Sequence, residues 1–334
     1  MDEEFLRRLP KVELHCHLDG SISLDFLKKV YNKTEHDVIK MLANSVIAPE
    51  KCQNLTEYLR CFSLLTGALK TEHSLQLAVL DVARQAIKEN VIYMELRFAP
   101  EYVANEAMSM EQAVLAVVEG IHLAKSMYKI KIGLILCMMR GKNNQEIFNL
   151  AVKYYQNGVN GLDLAGNEVK HGFSELDKKL FTIAKSEGVP FTIHAGETGS
   201  VENVLMAVQL GASRIGHGIA LSNSKVATDF IKGFPVTLEL CPICNIQTGA
   251  STSWSQYPFQ FFIDHGIQVT LNTDNRTVSN TSLTKEFQTI SHHFDLTRER
   301  ATKLVDNAID AAFVSSNVKQ ELRRQCAEFD SENE

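Results

Sequence analysis

The sequence predicts an α/β fold: one (β/α)8 TIM barrel with extra helices inserted after its first strand. Three observations predict it. Short apolar runs of strand character recur along the chain, each followed by a longer segment of helical period. Eight such runs can be counted, the number a closed barrel of parallel strands requires. Several of them end in a histidine or an aspartate, residue types that a buried strand does not otherwise favour.

The runs are Val12–His17, Val91–Phe98, Lys131–Met138, Gly161–Ala165, Pro190–His194, Arg214–His217, Pro235–Leu240 and Gln268–Thr273. Between them lie amphipathic segments such as Glu111-Gln-Ala-Val-Leu-Ala-Val-Val-Glu-Gly-Ile-His-Leu and Glu175-Leu-Asp-Lys-Lys-Leu-Phe-Thr-Ile-Ala-Lys. Ser109 with Gln112 forms a capping-box pattern before the first, and Ser174 precedes the second. An open doubly wound sheet is the alternative, but the first βα turn lacks the glycine fingerprint of that fold. No linker rich in Pro, Gly and Ser divides the chain, so 1–334 is expected to be one domain. The long stretch 18–90 between the first two runs holds helical patterns around Leu24–Tyr31, Leu55–Leu69 and Ser74–Lys88. Segments added after a barrel strand sit over its C-terminal face, which makes this stretch a candidate lid.

Composition narrows the function classes. With 45% hydrophobic and 22% charged residues over 334 positions, the chain reads as a soluble globular protein with a sizeable core. Its net charge of -6 is not accompanied by any basic run, which argues against nucleic-acid or anionic-membrane partners. Met1 to Pro10 has no apolar stretch and is no signal peptide. The longest apolar run, Ile132 to Met139, is far too short to span a bilayer. A soluble, cytoplasmic protein is expected. The seven cysteines, Cys16, Cys52, Cys61, Cys137, Cys241, Cys244 and Cys326, fit reduced thiols. Cys241-Pro-Ile-Cys244 has no second pair with which to complete a four-thiolate site, and reads as two buried thiols at a strand end.

The polar residues that interrupt the strands carry the chemistry. In His15-Cys-His17, side chains two apart on a strand point the same way, so both imidazoles share a face and Cys16 takes the other. His194 ends the fifth run in Thr192-Ile-His-Ala-Gly-Glu197, and His217 ends the sixth in Arg214-Ile-Gly-His-Gly218. Asp274 ends the eighth in Leu271-Asn-Thr-Asp-Asn275. In a closed barrel, strand 1 neighbours strand 8 while strands 5 and 6 lie across the lumen, so these ends converge on one mouth. Three imidazoles and a carboxylate around an open position suit Zn²⁺. His36, His73, His122, His171, His265, His292 and His293 fall on helices or in loops and are given no role.

These residues match a known pattern. From Lys11-Val-Glu-Leu-His-Cys-His-Leu-Asp-Gly20 to the helices after Asp274, the chain resembles the adenosine deaminase family. The shared motifs are His15-x-His17 with Asp19-Gly20, Asp163-Leu-Ala-Gly166, His194-Ala-Gly-Glu197, Gly216-His217-Gly218 and Asn272-Thr-Asp274. The resemblance implies that His15, His17, His194 and Asp274 bind one zinc ion per chain. It implies that Glu197 protonates the purine ring at N1 and that His217 and Asp274 handle the attacking water. A closed, partly apolar pocket would keep Glu197 protonated. The implied substrate is a purine nucleoside, adenosine and also 2′-deoxyadenosine, deaminated to inosine and ammonia. His17, Asp19, Gly166 and Asn275 form the implied substrate-binding set. Asp19 would meet the ribose 5′-hydroxyl, and the backbone at Gly166 would approach ring N3, where the absence of a Cβ permits close contact. Leu55, Tyr58 and Phe62 match an apolar gate at i, i+3 and i+7. One departure stands out: many members carry a second aspartate that meets N7, where this chain has Asn275. An amide N–H can donate to neutral N7 directly.

Other deaminases fit less well. The class with H-x-E and P-C-x-x-C is excluded, because here the order is Cys241-Pro. Binuclear barrel hydrolases need a lysine on the fourth strand, and Gly161-Leu-Asp-Leu-Ala-Gly166 has none. Deaminases of adenine, AMP or aminodeoxyfutalosine stay as alternatives, as does a non-catalytic purine-binding protein. A carboxylate at Asp19 would repel a 5′-phosphate, which counts against AMP.

Overall fold

A computed structural model of the chain describes residues 2–32, 40, 43–53 and 55–331. Among them all eight expected runs form strands: β1 (Lys11–His17), β2 (Val91–Phe98), β3 (Lys131–Met139), β4 (Gly161–Ala165), β5 (Thr192–Ala195), β6 (Arg214–His217), β7 (Thr237–Leu240) and β8 (Gln268–Leu271). Every pairing is parallel, in the orders β1-β2-β3-β4 and β5-β6-β7-β8. Two narrow seams close the barrel. Leu162 bridges Phe191 between β4 and β5, and Leu162 N–H donates to Pro190 O at 3.1 Å. Cys16 bridges Asp274 between β1 and the end of β8. There His17 N–H donates to Asp274 O at 2.7 Å, and Asp274 N–H donates to His15 O at 2.9 Å. The second seam is thus made by the same residues that carry the chemistry.

Strand ends differ from the sequence reading where the backbone explains it. β7 starts at Thr237 rather than Pro235, since proline has no N–H to give the ladder. β8 stops at Leu271 because the next residues turn out of the sheet. Asn272 bonds its side chain to Leu14 N–H at 2.9 Å, and Asp274 takes a left-handed backbone with φ 59°. Ser109 and Ser174 cap their helices as expected, each in a reciprocal capping box, the second closed by Asp177.

The barrel interior below the mouth is ionic rather than apolar. Arg214 meets Glu95 at 2.5 Å and Glu239 at 2.7 Å, and Arg97 meets Glu239 and Asp163 at 3.0 Å each. All five side chains are fully buried. Buried charges persist only when each finds an opposite partner, and here they form one continuous chain across the lumen.

The stretch between β1 and β2 is helical where it is described: Leu24–Val30, Leu55–Arg60, Phe62–Gly67 and Glu72–Ile87. The expected helix Leu55–Leu69 is two short helices that break at Cys61. His36 and parts of the candidate lid lie outside the described residues. No helix among the described residues is long and apolar enough to cross a membrane. All seven cysteines are free and buried.

Candidate metal centre and active site

β1 delivers two imidazoles to the mouth, His15 fully buried and His17 partly exposed. Cys16 faces away and lies 3.4 Å from Ser21 Oγ. His194 and His217 come from the ends of β5 and β6, and Asp274 from just beyond β8. His217 and Asp274 both hold left-handed backbones, φ 63° and φ 59°, which turn their side chains into the lumen. Such conformations cost energy in non-glycine residues and gather at functional sites.

The donor atoms converge. His15 Nε2 lies 3.3 Å and His17 Nε2 3.4 Å from Asp274 Oδ1, and the Nε2 atoms of His17 and His194 are 3.2 Å apart. A tetrahedral ion with bonds of about 2.0–2.1 Å needs donors roughly 3.3–3.4 Å from one another. His15 Nε2 is buried and makes no hydrogen bond among the described residues, so it is left facing the other donors. The four residues therefore fit one metal ion. His217 belongs to the same cluster: the donor atoms of His15, His194, His217 and Asp274 lie within 4.8 Å of one another, and those of His17, Asp163 and His194 form a second such group that shares His194.

Three of the four imidazoles, His15, His194 and His217, are aimed by a partner on the other nitrogen. His15 Nδ1 lies 2.9 Å from Glu239, and His194 Nδ1 lies 2.9 Å from Asp163. Both carboxylates belong to the ionic chain below, so the barrel's buried charges orient two ligands and fix their tautomers. His217 is set differently. Tyr257 donates to Asn245 Oδ1 at 3.3 Å, which turns Asn245 Nδ2 toward His217 Nδ1 at 3.0 Å. Nδ1 then accepts, and Nε2–H points at Glu197 Oε2, 3.8 Å away. Burial pushes His15, His17 and His217 well below the usual histidine range, which keeps them neutral. Burial acts the same way on His194, but the charge and hydrogen bond of Asp163 outweigh it and hold this residue above its ordinary value. The Cys244 thiol beside Asp274 favours the ionised form of that carboxyl. Cys241 and Cys244 are both free and buried, and burial pushes both thiols well up.

Glu197 sits on the loop after β5. Burial, then the charge of Asp274, pushes its carboxyl up to about 8. Glu168 braces that loop, accepting from Gly196 N–H at 3.0 Å, Thr198 N–H at 2.7 Å and Asn203 Nδ2 at 2.8 Å. A cavity of about 700 Å³ opens above the cluster. Its wall holds His17, His194, Glu197, His217 and Asp274 together with Asp19, Gly166 and Asn275, while Leu55, Tyr58 and Phe62 of the inserted segment cover it. Asp19 is buried, its carboxyl pushed up to about 6 by burial, and its Oδ1 has no partner. Gly166 has φ 105°. A Cβ there would make only ordinary contacts within the protein, with Met139 Cε at 3.4 Å and Arg140 N at 3.5 Å, and the left-handed backbone is a second reason for glycine at this position. A larger cavity of about 1530 Å³ lies around Lys131, Pro190 and Phe313, and none of the expected site residues lines it.

The adenosine deaminase family model matches residues 10–329. An adenosine deaminase of Enterococcus faecalis is 40% identical over 331 residues, covering 97% of this chain and 98% of its own. The chain belongs to the adenosine deaminase family. An adenosine deaminase of Shewanella woodyi is 38% identical, with 94% of this chain and 97% of that one covered. Among solved structures, the N6-methyl-AMP deaminase of Arabidopsis thaliana is similar with a TM-score of 0.85 at 26% identity, covering 98% of each chain. The adenine deaminase of Arthrobacter aurescens reaches a TM-score of 0.87 at 19% identity, which is a likeness of fold alone.

Within this adenosine deaminase family chain, every residue singled out for the site reaches the one cavity or the cluster beneath it. Sequence reasoning missed Glu239, Asn245, Glu168 and Cys244. It quoted Asp163 only as part of a motif. The signal available was a charged residue in the middle of an apolar strand, as at Glu95, Arg97, Asp163 and Glu239.

Proposed function

We propose that this protein hydrolyses adenosine, and 2′-deoxyadenosine, to the corresponding inosine and ammonia, with one zinc ion held by His15, His17, His194 and Asp274. The reading is carried by four donors spaced for one small ion beside a carboxyl that burial keeps protonated. When bound there, zinc supplies Lewis acidity that lowers the pKa of a water from 15.7 to about 7. Asp274 takes that water's proton as its oxygen attacks C6. His217 holds its Nε2–H toward the same region and steadies the charge that grows on the oxygen. Glu197 gives its proton to N1, which breaks the ring's aromaticity and makes C6 electrophilic. Asp274 then passes its proton to the C6 amino group, collapse at C6 expels ammonia, and the hydroxyl proton left on oxygen returns to Glu197 as the carbonyl forms.

The remaining cavity residues recognise the nucleoside. Asp19, buried with a free oxygen, accepts from the ribose 5′-hydroxyl, and near pH 7 its charge repels a 5′-phosphate. The backbone N–H of Gly166 faces N3, and His17 forms wall as well as ligand. Asn275 donates an N–H to N7; Tyr58 occupies one of its two amide hydrogens and the other is free. We place the protein in the cytoplasm, on the support of seven unpaired cysteines.

The test is an assay of purified protein against adenosine, deoxyadenosine, adenine and AMP, following ammonia release and the loss of ultraviolet absorbance. Turnover of the two nucleosides, with AMP and adenine far poorer, is expected. Preferred turnover of adenine or AMP would replace this reading by one of its rivals, and binding without ammonia release would leave a purine-binding protein.

A further inference from the structure

Tyr58 is carried by the helix Leu55–Arg60, inside the segment inserted between β1 and β2, yet its side chain is 2% exposed. Its hydroxyl lies 2.7 Å from Ser279 Oγ and takes Asn275 Nδ2 at 3.1 Å. Asn275 and Ser279 belong to one turn after β8, closed by Ser279 N–H donating to Asn275 O at 2.8 Å. A phenol is a stronger acid than an aliphatic alcohol and has one proton to give. With that proton on Ser279, Tyr58 offers Asn275 only a lone pair. A lone pair accepts an amide N–H and repels an amide oxygen. The other end of the amide, Asn275 Oδ1, is buried without a hydrogen-bond partner and lies against Gly20, where a Cβ would come within 1.9 Å of it. One N–H of the amide is held by Tyr58, and the second remains for the cavity that Asn275 lines.

We propose that Tyr58, with Ser279 behind it, sets the direction of the Asn275 amide so that an N–H, and never the carbonyl, faces N7 of the substrate; this rests on the N7 contact proposed above. Tyr58 is a positioning residue and touches no reacting atom. Because it belongs to the inserted segment, the purine-reading donor is oriented only when that helix is seated on the β8 turn. Gly20 is the third part of the device, since any side chain there would displace the amide oxygen.

The experiment compares two inhibitors of the metal-loaded enzyme. 1-Deazaadenosine keeps N7 and lacks the N1 that deamination must protonate, whereas 7-deazaadenosine lacks N7. The readout is the ratio of their inhibition constants, 7-deaza over 1-deaza. Tyr58→Phe keeps the ring and removes the hydroxyl, and should lower this ratio by roughly three- to tenfold, the worth of one hydrogen bond. Ser279→Ala leaves Tyr58 free to donate, favours the turned amide, and should move the ratio the same way. General damage to the pocket weakens both inhibitors and leaves the ratio unchanged, and if Tyr58→Phe fails to fold, Ser279→Ala decides alone. Asn275→Ala separates the two ideas. If it lowers the ratio while the other variants do not, Tyr58 has no positioning role although the N7 contact stands. If even Asn275→Ala leaves the ratio unchanged, the N7 contact itself is wrong, and the role of Tyr58 goes with it.

Discussion

Glu197 is largely buried and Asp274 more fully so, but the scheme asks opposite things of the two carboxyls. Glu197 has to begin each cycle protonated, and burial beside the charge of Asp274 raises it to about 8, so the acid form dominates at neutral pH. The sign follows directly: a donor is lost as pH rises through its pKa. kcat/KM for adenosine should therefore fall on an alkaline limb at or below about 8, since a cation beside the carboxyl favours its ionised form. Glu197→Gln keeps shape and polarity without the acid, and kcat should drop by about 10²-fold or more while ground-state analogues still bind. Near-normal turnover in this variant would remove Glu197 as the proton donor. Two other residues carry more than residue type alone shows. Gly166 was singled out for its lack of bulk, and its left-handed backbone, φ 105°, adds a second reason for glycine. Cys244 is half of a buried thiol pair, as expected, and its contact with Asp274 also favours the ionised form of the proposed metal aspartate.

At the scale of elements, the strand ends were readable because a parallel strand is a continuous apolar run, in which a terminal histidine stands out. His15, His17, His194, His217 and Asp274 were all visible in this way. Their partners were not. Asp163, Glu239 and Arg97 lie mid-strand and pair across the lumen, a relation that depends on which strands face each other. The inserted segment was legible as helices, but Tyr58 looked like one apolar residue in a stripe, and only its partners Asn275 and Ser279 give its hydroxyl a meaning. Asp163 supplies the prediction for this scale. Asp163→Asn keeps the volume but removes the charge that holds both His194 Nδ1 and Arg97. Metal affinity, measured by competition with a chelator, should weaken by about 10–100-fold. Unchanged affinity would mean that Asp163 serves the Arg97 ion pair alone.

For the whole molecule, the ion and the fold should be separable. The barrel is closed by backbone bonds at two seams and filled by a buried core that surrounds the ionic chain, which predicts a fold that forms without the metal. About one zinc per chain is expected by elemental analysis. Chelation should abolish turnover while far-ultraviolet circular dichroism stays essentially unchanged, and added zinc should restore activity. Two metals per chain, or full activity in a metal-free preparation, would overturn the proposed site. Collapse of the secondary structure on chelation would instead show that the ligand cluster holds the barrel mouth together.

What the sequence determined by itself was the architecture and the identity of the reacting groups. Period and residue type are local properties, so eight strands, their helices and the polar residues at their ends could be read without coordinates. What only the tertiary structure decided was how those groups are held. The directions of three of the imidazoles, the protonation of Glu197 and the orientation of the Asn275 amide depend on burial and on partners from distant strands and from the inserted helix. Desolvation and hydrogen-bond direction are properties of a closed space, and no stretch of the chain contains that space until the barrel shuts.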